Sequence, residues 1–339
     1  MDVVMRIFRT WSALLCCVLG AVWISGCATK PVSTESAAVR LHRSKDYIIY
    51  RTGPGETSSV LAERFLGDPN LSWMIDDAND LKPATKDNYA VIPLRNKNKG
   101  GIFANGVQQV AILCYHRFGK QCKSPLCVPE DLFERQMRYL KENGYIVISP
   151  EQLLAFLEYR QPLPRKSVMI TVDDGYSSFY DIAYPILKNY GFTATLFIYT
   201  NFVGVSKKAL SWKQLRELKD NGFTIGSHTI AHSDLSKKDD NESEEAYMER
   251  LRHEIAGSKK ILDAKLDQDT MFFAYPFGRG NYSAMLVTSQ SGYKLAATVR
   301  RGGNPFFANR YTLQRDQILK RNMSTFVSRL KTFQPLSLR

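Results

Sequence analysis

The stretch Ser167-Val-Met-Ile-Thr-Val-Asp-Asp-Gly175 decides the fold, because an apolar run of strand-forming residues ends there in two adjacent carboxylates and a glycine. Neighbouring residues in a strand point to opposite faces, so two consecutive aspartates can enter one pocket only where the strand stops. Gly175 marks that stop, since glycine adopts backbone angles that are closed to other residues. The stretch therefore predicts a buried strand with paired carboxylates at its carboxyl end.

A second motif, Ser227-His-Thr-Ile-Ala-His232, follows later in the chain. His228 and His232 are four residues apart, which places both imidazoles on one face of a helical turn or a tight loop. Two imidazoles and one carboxylate make three protein ligands. That set suits Zn²⁺ with open coordination positions, although it also serves non-haem Fe(II). The other carboxylate can then accept a proton from water at the metal, so the two motifs together predict a hydrolytic metal centre.

The Thr-Val-Asp-Asp-Gly and Ser-His-Thr-x-x-His phrases resemble the first two signatures of the polysaccharide deacetylases of the NodB-homology class, carbohydrate esterase family 4. The resemblance implies that Asp173 is the general base and that the metal ligands are Asp174, His228 and His232. It also implies an α/β fold, a distorted and incomplete (β/α) barrel of the NodB type, with the motifs at the carboxyl ends of its strands.

Phe273-Ala-Tyr-Pro-Phe-Gly278 resembles the third signature of this family, which forms one wall of the acetyl site and supplies a backbone N–H to the oxyanion. The resemblance assigns that donor to Tyr275. Many family members carry an arginine two residues before the proline, where this chain has Ala274. We expect Arg315, in the apolar segment Leu313-Gln-Arg-Asp-Gln-Ile318, to replace it as the cation that orients the base.

The usual last signature of the family, a Leu-x-His that supplies the general acid, is missing, and the chain has five histidines in all. His42 lies near the expected membrane anchor, and His253 lies in a segment that reads as an exposed amphipathic helix. With two histidines taken as ligands, His116 remains, at the end of the apolar run that starts at Val110. Its Tyr-His context resembles the branch acting on poly-N-acetylglucosamine, which implies that His116 is the acid; a hydrogen-bonded core histidine is the alternative.

The resemblance implies a metal-dependent hydrolase that removes N-acetyl groups from a polysaccharide containing N-acetylglucosamine, with Zn²⁺ as the expected ion. A glycan-binding envelope lipoprotein with weak or no activity is the alternative, because the family arginine and late histidine are replaced. The sequence does not choose between peptidoglycan, poly-N-acetylglucosamine and other exported polymers. It does not predict the oligomeric state.

Residues 1–26 have the features of an export signal, with a basic start and an apolar core too short for a confident membrane span. Ile24-Ser-Gly-Cys27 resembles a bacterial lipobox, which implies lipidation of Cys27 and a stable membrane anchor. A secretory signal with a chance cysteine is the alternative. We expect an exported protein that is lipid-anchored in the bacterial cell envelope, in the outer membrane facing the periplasm.

Three cysteines remain once the signal and the lipidated residue are set aside. An oxidising compartment favours pairing, and Cys122 and Cys127 bracket a short loop that contains Pro125. We therefore expect a local disulfide there, with Cys114 buried in its strand. A zinc site built on the three cysteines is disfavoured because no fourth ligand lies nearby.

The domain organisation is predicted from shifts in composition. A polar linker spans residues 27–45, and a small α+β module spans residues 46–94. Its phrases Gly53-Pro-Gly-Glu-Thr and Val91-Ile-Pro93 resemble a LysM domain, a family that binds N-acetylglucosamine in glycans; a spacer that binds nothing is the alternative. A polar segment at residues 95–104 separates the module from the deacetylase domain, residues 105–339.

The chain from residue 105 onward alternates apolar runs with helical patterns, which favours a parallel α/β architecture. The formal net charge of +13 predicts attraction to anionic lipid head groups or acidic glycans. Nucleic acid is not an expected partner, because the chain is exported and its aromatic residues follow core periodicity.

Overall fold

The computed structural model describes residues 40–80, 89–319 and 322–336. The predicted signal peptide and the predicted lipidation site at Cys27 lie outside these residues. The strands are β1 (Arg40–Arg43), β2 (Tyr47–Arg51), β3 (Tyr89–Pro93), β4 (Ile102–Phe103), β5 (Gly106–Gln108), β6 (Val110–Tyr115), β7 (Arg117–Gly119), β8 (Cys127–Pro129), β9 (Ile146–Val147), β10 (Ser167–Asp174), β11 (Thr195–Ile198), β12 (Thr224–Ser227), β13 (Phe272–Ala274), β14 (Leu295–Ala297), β15 (Gly303–Asn304), β16 (Asp316–Gln317) and β17 (Phe333–Pro335). The helices are α1 (Ser58–Leu66), α2 (Ser72–Ala78), α3 (Glu130–Glu142), α4 (Pro150–Leu157), α5 (Tyr184–Tyr190), α6 (Trp212–Asp220), α7 (Glu244–Leu266), α8 (Tyr282–Gln290) and α9 (Met323–Val327).

The N-terminal module is a three-stranded antiparallel sheet, in the order β1-β2-β3, packed against α1 and α2. Helix α1 begins where the Thr57 hydroxyl accepts the Val60 N–H, and it ends at Gly67, whose φ of 76° favours glycine. The small core includes Ile48, Leu61 and Ile75. The strand–helix–helix–strand order expected for residues 46–94 is present, with β1 added in front; the LysM assignment stays a prediction.

The larger sheet has nine strands, and its main path runs β14-β13-β12-β11-β10-β6-β15, with β9 paired to β10 and β16 paired to β6. All of these pairings are parallel except that of β15 with β6. Helices α3 to α8 lie between successive strands of this curled half-barrel. The predicted α/β fold, a distorted and incomplete barrel, is confirmed.

Strand β10 lies at the centre of the sheet because it is apolar on both faces. Val168, Ile170 and Val172 pack in the cluster beneath the helices, whereas Met169 packs in a second cluster on the opposite face. This alternation follows the two-residue period of a strand. The strand is therefore held rigidly up to the two carboxylates at its end.

The predicted linker at residues 95–104 contains a strand at its C-terminal end. Ile102 and Phe103 form β4, which pairs with β5, and β5 pairs in turn with β17 near the C-terminus. Strand β4 therefore lies inside the predicted linker, and the domain boundary stays a prediction. A two-residue strand has no periodicity that the sequence could show, and its partners lie elsewhere in the chain.

Two further observations concern the links within the chain. A disulfide joins Cys122 to Cys127, and Cys114 is a free, buried thiol, as the cysteine spacing predicted. The backbone N–H of Arg165, just before β10, donates to the Asp77 carboxylate of α2 at 3.1 Å and so ties the module to the barrel.

None of the helices in the described ranges combines the length and apolar composition needed to cross a bilayer.

Candidate metal centre

The site lies where three neighbouring parallel strands end. Asp173 and Asp174 close β10 and pair in register with Phe197 and Ile198 of β11, while His228 follows directly after β12. Because carboxyl ends of parallel strands meet at one edge of a sheet, residues distant in sequence come together there.

A sharp turn lets both carboxylates reach this edge. Asp174 has a φ of 79° and Gly175 a φ of 84°, so two consecutive residues adopt the left-handed conformation. Glycine accepts that conformation freely, whereas an aspartate does so at a cost in conformational energy. The turn predicted at Gly175 therefore begins one residue earlier, at Asp174 itself.

The three predicted metal ligands converge. Asp174, His228 and His232 each offer one ligand atom, and these atoms lie within 4.8 Å of one another. The Nε2 atoms of His228 and His232 are 3.7 Å and 3.5 Å from the same Asp174 Oδ1. One carboxylate oxygen and two imidazole nitrogens face a common centre, as a three-ligand site requires.

The protonation of His228 suits a ligand. Its Nδ1 lies 2.7 Å from the carbonyl oxygen of Ala274, so Nδ1 carries the proton and the Nε2 lone pair points toward the centre. Burial, with a smaller contribution from the neighbouring His232, lowers the pKa of His228 to about 4. Burial also lowers the pKa of His232. Both rings are therefore neutral near pH 7, which is the form that binds a metal.

Asp174 is a carboxylate without a cation bound directly to it in the described ranges. Burial, with a smaller contribution from the adjacent Asp173 charge, raises its pKa to about 6 against the lowering effect of His116. No side chain in the described ranges donates a hydrogen bond to it within normal distance. A divalent ion would supply the missing positive charge and reverse this shift. The donor set therefore fits a divalent metal, with imidazole and carboxylate ligands of the kind that Zn²⁺ accepts.

Asp173 has the opposite environment, because Arg315 binds it in a bidentate ion pair. Arg315 Nη1 lies 2.7 Å from Oδ1 and Nη2 lies 2.8 Å from Oδ2, and both side chains are buried. The guanidinium also donates to the Thr171 hydroxyl and to the Thr298 carbonyl oxygen. Arg315 thus lies where the hypothesis of a replacement for the family arginine requires it.

The ion pair sets the charge of Asp173. Burial acts to raise the pKa of this carboxyl, but the Arg315 charge, with smaller contributions from His228 and His116, holds the pKa well below its ordinary value. Asp173 is therefore ionised throughout the usual pH range. The Cys114 thiol lies 3.4 Å from Oδ2 and donates a weak third hydrogen bond, a contact that the sequence did not reveal.

His116 lies beside the same carboxylate. One ligand atom from each of His116, Cys114 and Asp173 falls within a 4.8 Å group, and His116 is 9% exposed. Its Nδ1 is buried and has no hydrogen-bond partner among the described atoms. The Nδ1 atom therefore gives no support to the alternative of a hydrogen-bonded core histidine.

The prediction that the Tyr275 N–H serves the oxyanion is wrong, because that N–H donates to the Ala297 carbonyl oxygen at 3.1 Å in the sheet. In the following turn Pro276 has no N–H, Gly278 donates to Tyr275 and Arg279 donates to Pro276. The Phe277 N–H is the one backbone donor of this turn without an acceptor in the described parts of the chain. Buried backbone donors are almost always paired, so the unpaired Phe277 N–H is a better candidate than the Tyr275 N–H for the oxyanion donor.

Glu254 of α7 supports the loop that carries the histidines. Its Oε2 accepts the backbone N–H groups of Ile230 and Ala231, both at 3.0 Å, and its Oε1 accepts the Ser233 hydroxyl at 3.3 Å. Glu254 is 5% exposed. The spacing of Glu254 from Leu251 and Ser258 indicates that it lies on the buried face of α7. The segment around His253 was predicted to be an exposed amphipathic helix, so this role of Glu254 was missed.

Strained backbone is concentrated at this edge. Besides Asp174, left-handed φ values occur at Thr229 (74°), His232 (60°) and Phe277 (57°). For residues other than glycine, each costs about 1–3 kcal/mol and persists only where the surrounding structure enforces it. Such strain is typical of sites where side chains must point in a set direction.

A family model described as polysaccharide deacetylase matches residues 160–296. The "Putative polysaccharide deacetylase YxkH" of Bacillus subtilis is 32% identical over 210 residues, which cover 62% of this chain and 71% of the relative. The poly-beta-1,6-N-acetyl-D-glucosamine N-deacetylase of Staphylococcus aureus is 27% identical over 224 residues, 65% of this chain and 75% of the relative.

Solved structures agree. The deacetylase PplD of Streptococcus pyogenes, in complex with acetate, superposes with a TM-score of 0.59 at 29% identity and covers 66% of this chain and 98% of its own. IcaB of Ammonifex degensii gives a TM-score of 0.56 at 27% identity, with coverage of 62% and 92%. Since fold, sequence and the convergent Asp-His-His set all point the same way, this chain belongs to the polysaccharide deacetylase family.

Proposed function

We propose that the protein is a metal-dependent hydrolase that removes N-acetyl groups from a cell-envelope or exported polysaccharide containing N-acetylglucosamine. The observation that carries the proposal is the convergence of Asp174, His228 and His232 next to Asp173, a carboxylate held ionised by Arg315. The staphylococcal relative, named for a poly-N-acetylglucosamine substrate, supports the choice of polymer class.

Asp174, His228 and His232 would hold the metal, with Zn²⁺ as the proposed ion. When bound, a divalent ion supplies Lewis-acid chemistry, which polarises a carbonyl and lowers the pKa of water to about 7. The hydrogen bond from His228 Nδ1 to the Ala274 carbonyl oxygen already leaves Nε2 as the free ligand atom. The loop that carries His232 is likewise fixed by Glu254.

The residues around the metal ligands divide the proton transfers. Asp173 is proposed to accept the proton of the attacking water, with Arg315 holding its carboxylate in one orientation. The unpaired Phe277 N–H, in place of Tyr275, is proposed to donate to the oxyanion that develops on the acetamide. His116 is proposed to protonate the leaving sugar amine, since it lies beside Asp173 at the same edge of the sheet.

The alternative of an inactive glycan-binding lipoprotein had two supports, the replaced arginine at Ala274 and the missing late histidine. Arg315 and His116 both lie beside Asp173, which supports Arg315 as the replacement for the arginine and His116 as the replacement for the histidine. We therefore propose catalysis as the main activity. Glycan binding by residues 46–94, a lipid anchor at Cys27 and a position in the outer membrane facing the periplasm remain proposals that rest on the sequence.

The test is acetate release from N-acetylglucosamine oligomers by the full chain, before and after treatment with a chelator and again after Zn²⁺ is restored. We expect acetate release that the chelator abolishes and that Zn²⁺ recovers. No acetate release from any oligomer by the metal-loaded chain would count against the proposal. The same assay across peptidoglycan and poly-N-acetylglucosamine identifies the preferred polymer.

A further inference from the structure

Phe277 has a combination of properties that core packing does not explain. It lies in the left-handed region, with φ 57° and ψ 9°, a conformation that glycine adopts more readily. Its side chain is 55% exposed, although an aromatic ring gains free energy when it is buried. The fold therefore holds a large apolar ring out toward solvent in a strained conformation, and such an outlier suggests a function.

The ring stands directly beside the metal centre. The centroids of the Phe277 and His232 rings are 4.7 Å apart, with the planes at 70°. The His232 imidazole also contacts Tyr199 at 5.3 Å, and Tyr199 stacks on Phe202 at 5.1 Å. Phe277 is thus the exposed member of an aromatic group around one proposed ligand.

The neighbouring turn leaves little freedom to the backbone beneath the ring. Gly278 has a φ of 68°, and a Cβ atom there would come within 2.1 Å of Val299. The adjacent residue must therefore be glycine, and the turn cannot relax without moving away from Val299. The backbone that carries the Phe277 ring is thus fixed before any ligand arrives, which lowers the entropy cost of binding.

We propose that the Phe277 ring is a platform on which a sugar ring of the substrate stacks while its acetamide group lies at the metal centre. This inference rests on the proposed function. A pyranose ring presents an apolar face of C–H groups between its equatorial hydroxyls, and an exposed aromatic face is complementary to it. Aromatic surfaces with a few fixed polar groups are the usual lining of binding sites for small ligands.

The role differs from that of the Phe277 backbone. The N–H proposed for the oxyanion belongs to the main chain and is kept in a Phe277→Ala variant, whereas the ring is lost. The two contributions therefore separate in kinetics: loss of the ring should raise KM, and loss of an oxyanion donor would lower kcat.

The experiment measures kcat and KM for acetate release from N-acetylglucosamine oligomers by the full, metal-loaded chain and three variants. We expect Phe277→Ala to raise KM about tenfold with kcat changed less than about twofold and metal content unchanged. Phe277→Tyr should keep the native KM. The matched control is Phe307→Ala, since Phe307 is 64% exposed and lies near β15, away from the metal centre.

An unchanged KM in Phe277→Ala, or an equal rise in Phe307→Ala, overturns the proposal. Loss of metal or of kcat with KM unchanged would show instead that the ring orients His232, and this too overturns it. Calorimetric binding of the same oligomers separates this inference from the proposed function. If the native chain releases no acetate, weaker oligomer binding by Phe277→Ala still supports the platform, and equal binding refutes it.

Discussion

The N-terminal module and the edge of the barrel with the candidate metal centre differ in which residues adopt strained backbone conformations. In the module, left-handed turns are made by Gly55 and Gly67, with Asp80 as a short polar exception. At the edge of the barrel four left-handed residues are not glycine, namely Asp174, Thr229, His232 and Phe277, and all but Thr229 carry groups of the proposed site. The module thus minimises its conformational energy, whereas the edge accepts strain that only a function explains.

Charge shows the same contrast. In the module, Glu56 accepts hydrogen bonds from Gly53 and Tyr50 and forms an ion pair with Arg64 near the surface. At the edge of the barrel, Asp173 is paired with Arg315 in the interior, whereas Asp174 beside it has no side-chain donor in the part of the chain that the structure describes. Neighbouring carboxylates with opposite environments are a sign of divided roles, one as a base and one as a ligand.

The largest expected effect is that of Asp173→Asn. The amide keeps the shape but cannot accept a proton, so acetate release should fall by about 10²–10⁴-fold. Metal content should stay unchanged, because Asp174, His228 and His232 are intact. Acetate release and metal content are measured on the same sample. Activity above a tenth of the native value would show that Asp173 is not the general base.

Arg315→Met should come next. It leaves Asp173 ionised and unpaired in the interior, where breaking a buried pair costs about 3–5 kcal/mol of folding stability. We expect a lower Tm and a much reduced kcat. The control is Arg301→Met, whose side chain is 67% exposed in its pair with Asp316, so little should change. Native turnover in Arg315→Met would show that Asp173 needs no orienting cation.

Glu254→Gln tests the support of the histidine loop. A neutral amide accepts the Ile230 and Ala231 N–H groups less strongly and directs one N–H₂ group toward other donors. We expect metal affinity to fall about tenfold or more, as for other groups that orient ligands from behind, with a stability loss of about 1–3 kcal/mol. Glu249→Gln, on the exposed side of the same helix, is the control. Equal metal affinities in the two variants would contradict the role.

The smallest effect concerns the module. Burial raises the pKa of Asp77 to about 6, above the value near 4 of an unfolded chain. Its protonated form is therefore favoured by folding, so stability should decline as the pH rises from about 4 to 6. Asp77→Asn should raise the stability at pH 7 by on the order of 1–2 kcal/mol, allowing for partial exposure, with no gain below pH 4. The free energy of unfolding, measured by denaturation across this pH range, tests this prediction, and the exposed Asp240→Asn variant is the control.

The sequence predicted the parts of the site that lie in local motifs. The paired carboxylates at the end of β10 and the spacing of His228 and His232 follow from strand and turn geometry, and the core helices follow from apolar periodicity. Arg315 was predicted because an apolar segment around it resembled a late strand. Part of that segment, directly after Arg315, is β16, which pairs with β6.

The remaining parts depend on partners distant in sequence. Whether the Tyr275 N–H is free depends on Ala297, a residue of the neighbouring strand, so a motif could not decide between Tyr275 and Phe277. Helix α5 starts at Tyr184 and is preceded by a π-helical turn at Phe179–Ala183, which helical periodicity alone does not distinguish from an α-helix. Short strands such as β15 and β4 take their structure from their partners.

The two ends of β10 have a consequence for substrate length. The module contacts the chain at Arg165, just before this strand, and the proposed ligand Asp174 is the eighth and last residue of the strand. At about 3.3 Å per residue the two places are separated by roughly 25 Å. A polymer that touches both must run along the side of the barrel for at least that distance. Short oligomers will therefore report on the catalytic edge alone, and only long chains can reveal whether the two ends cooperate.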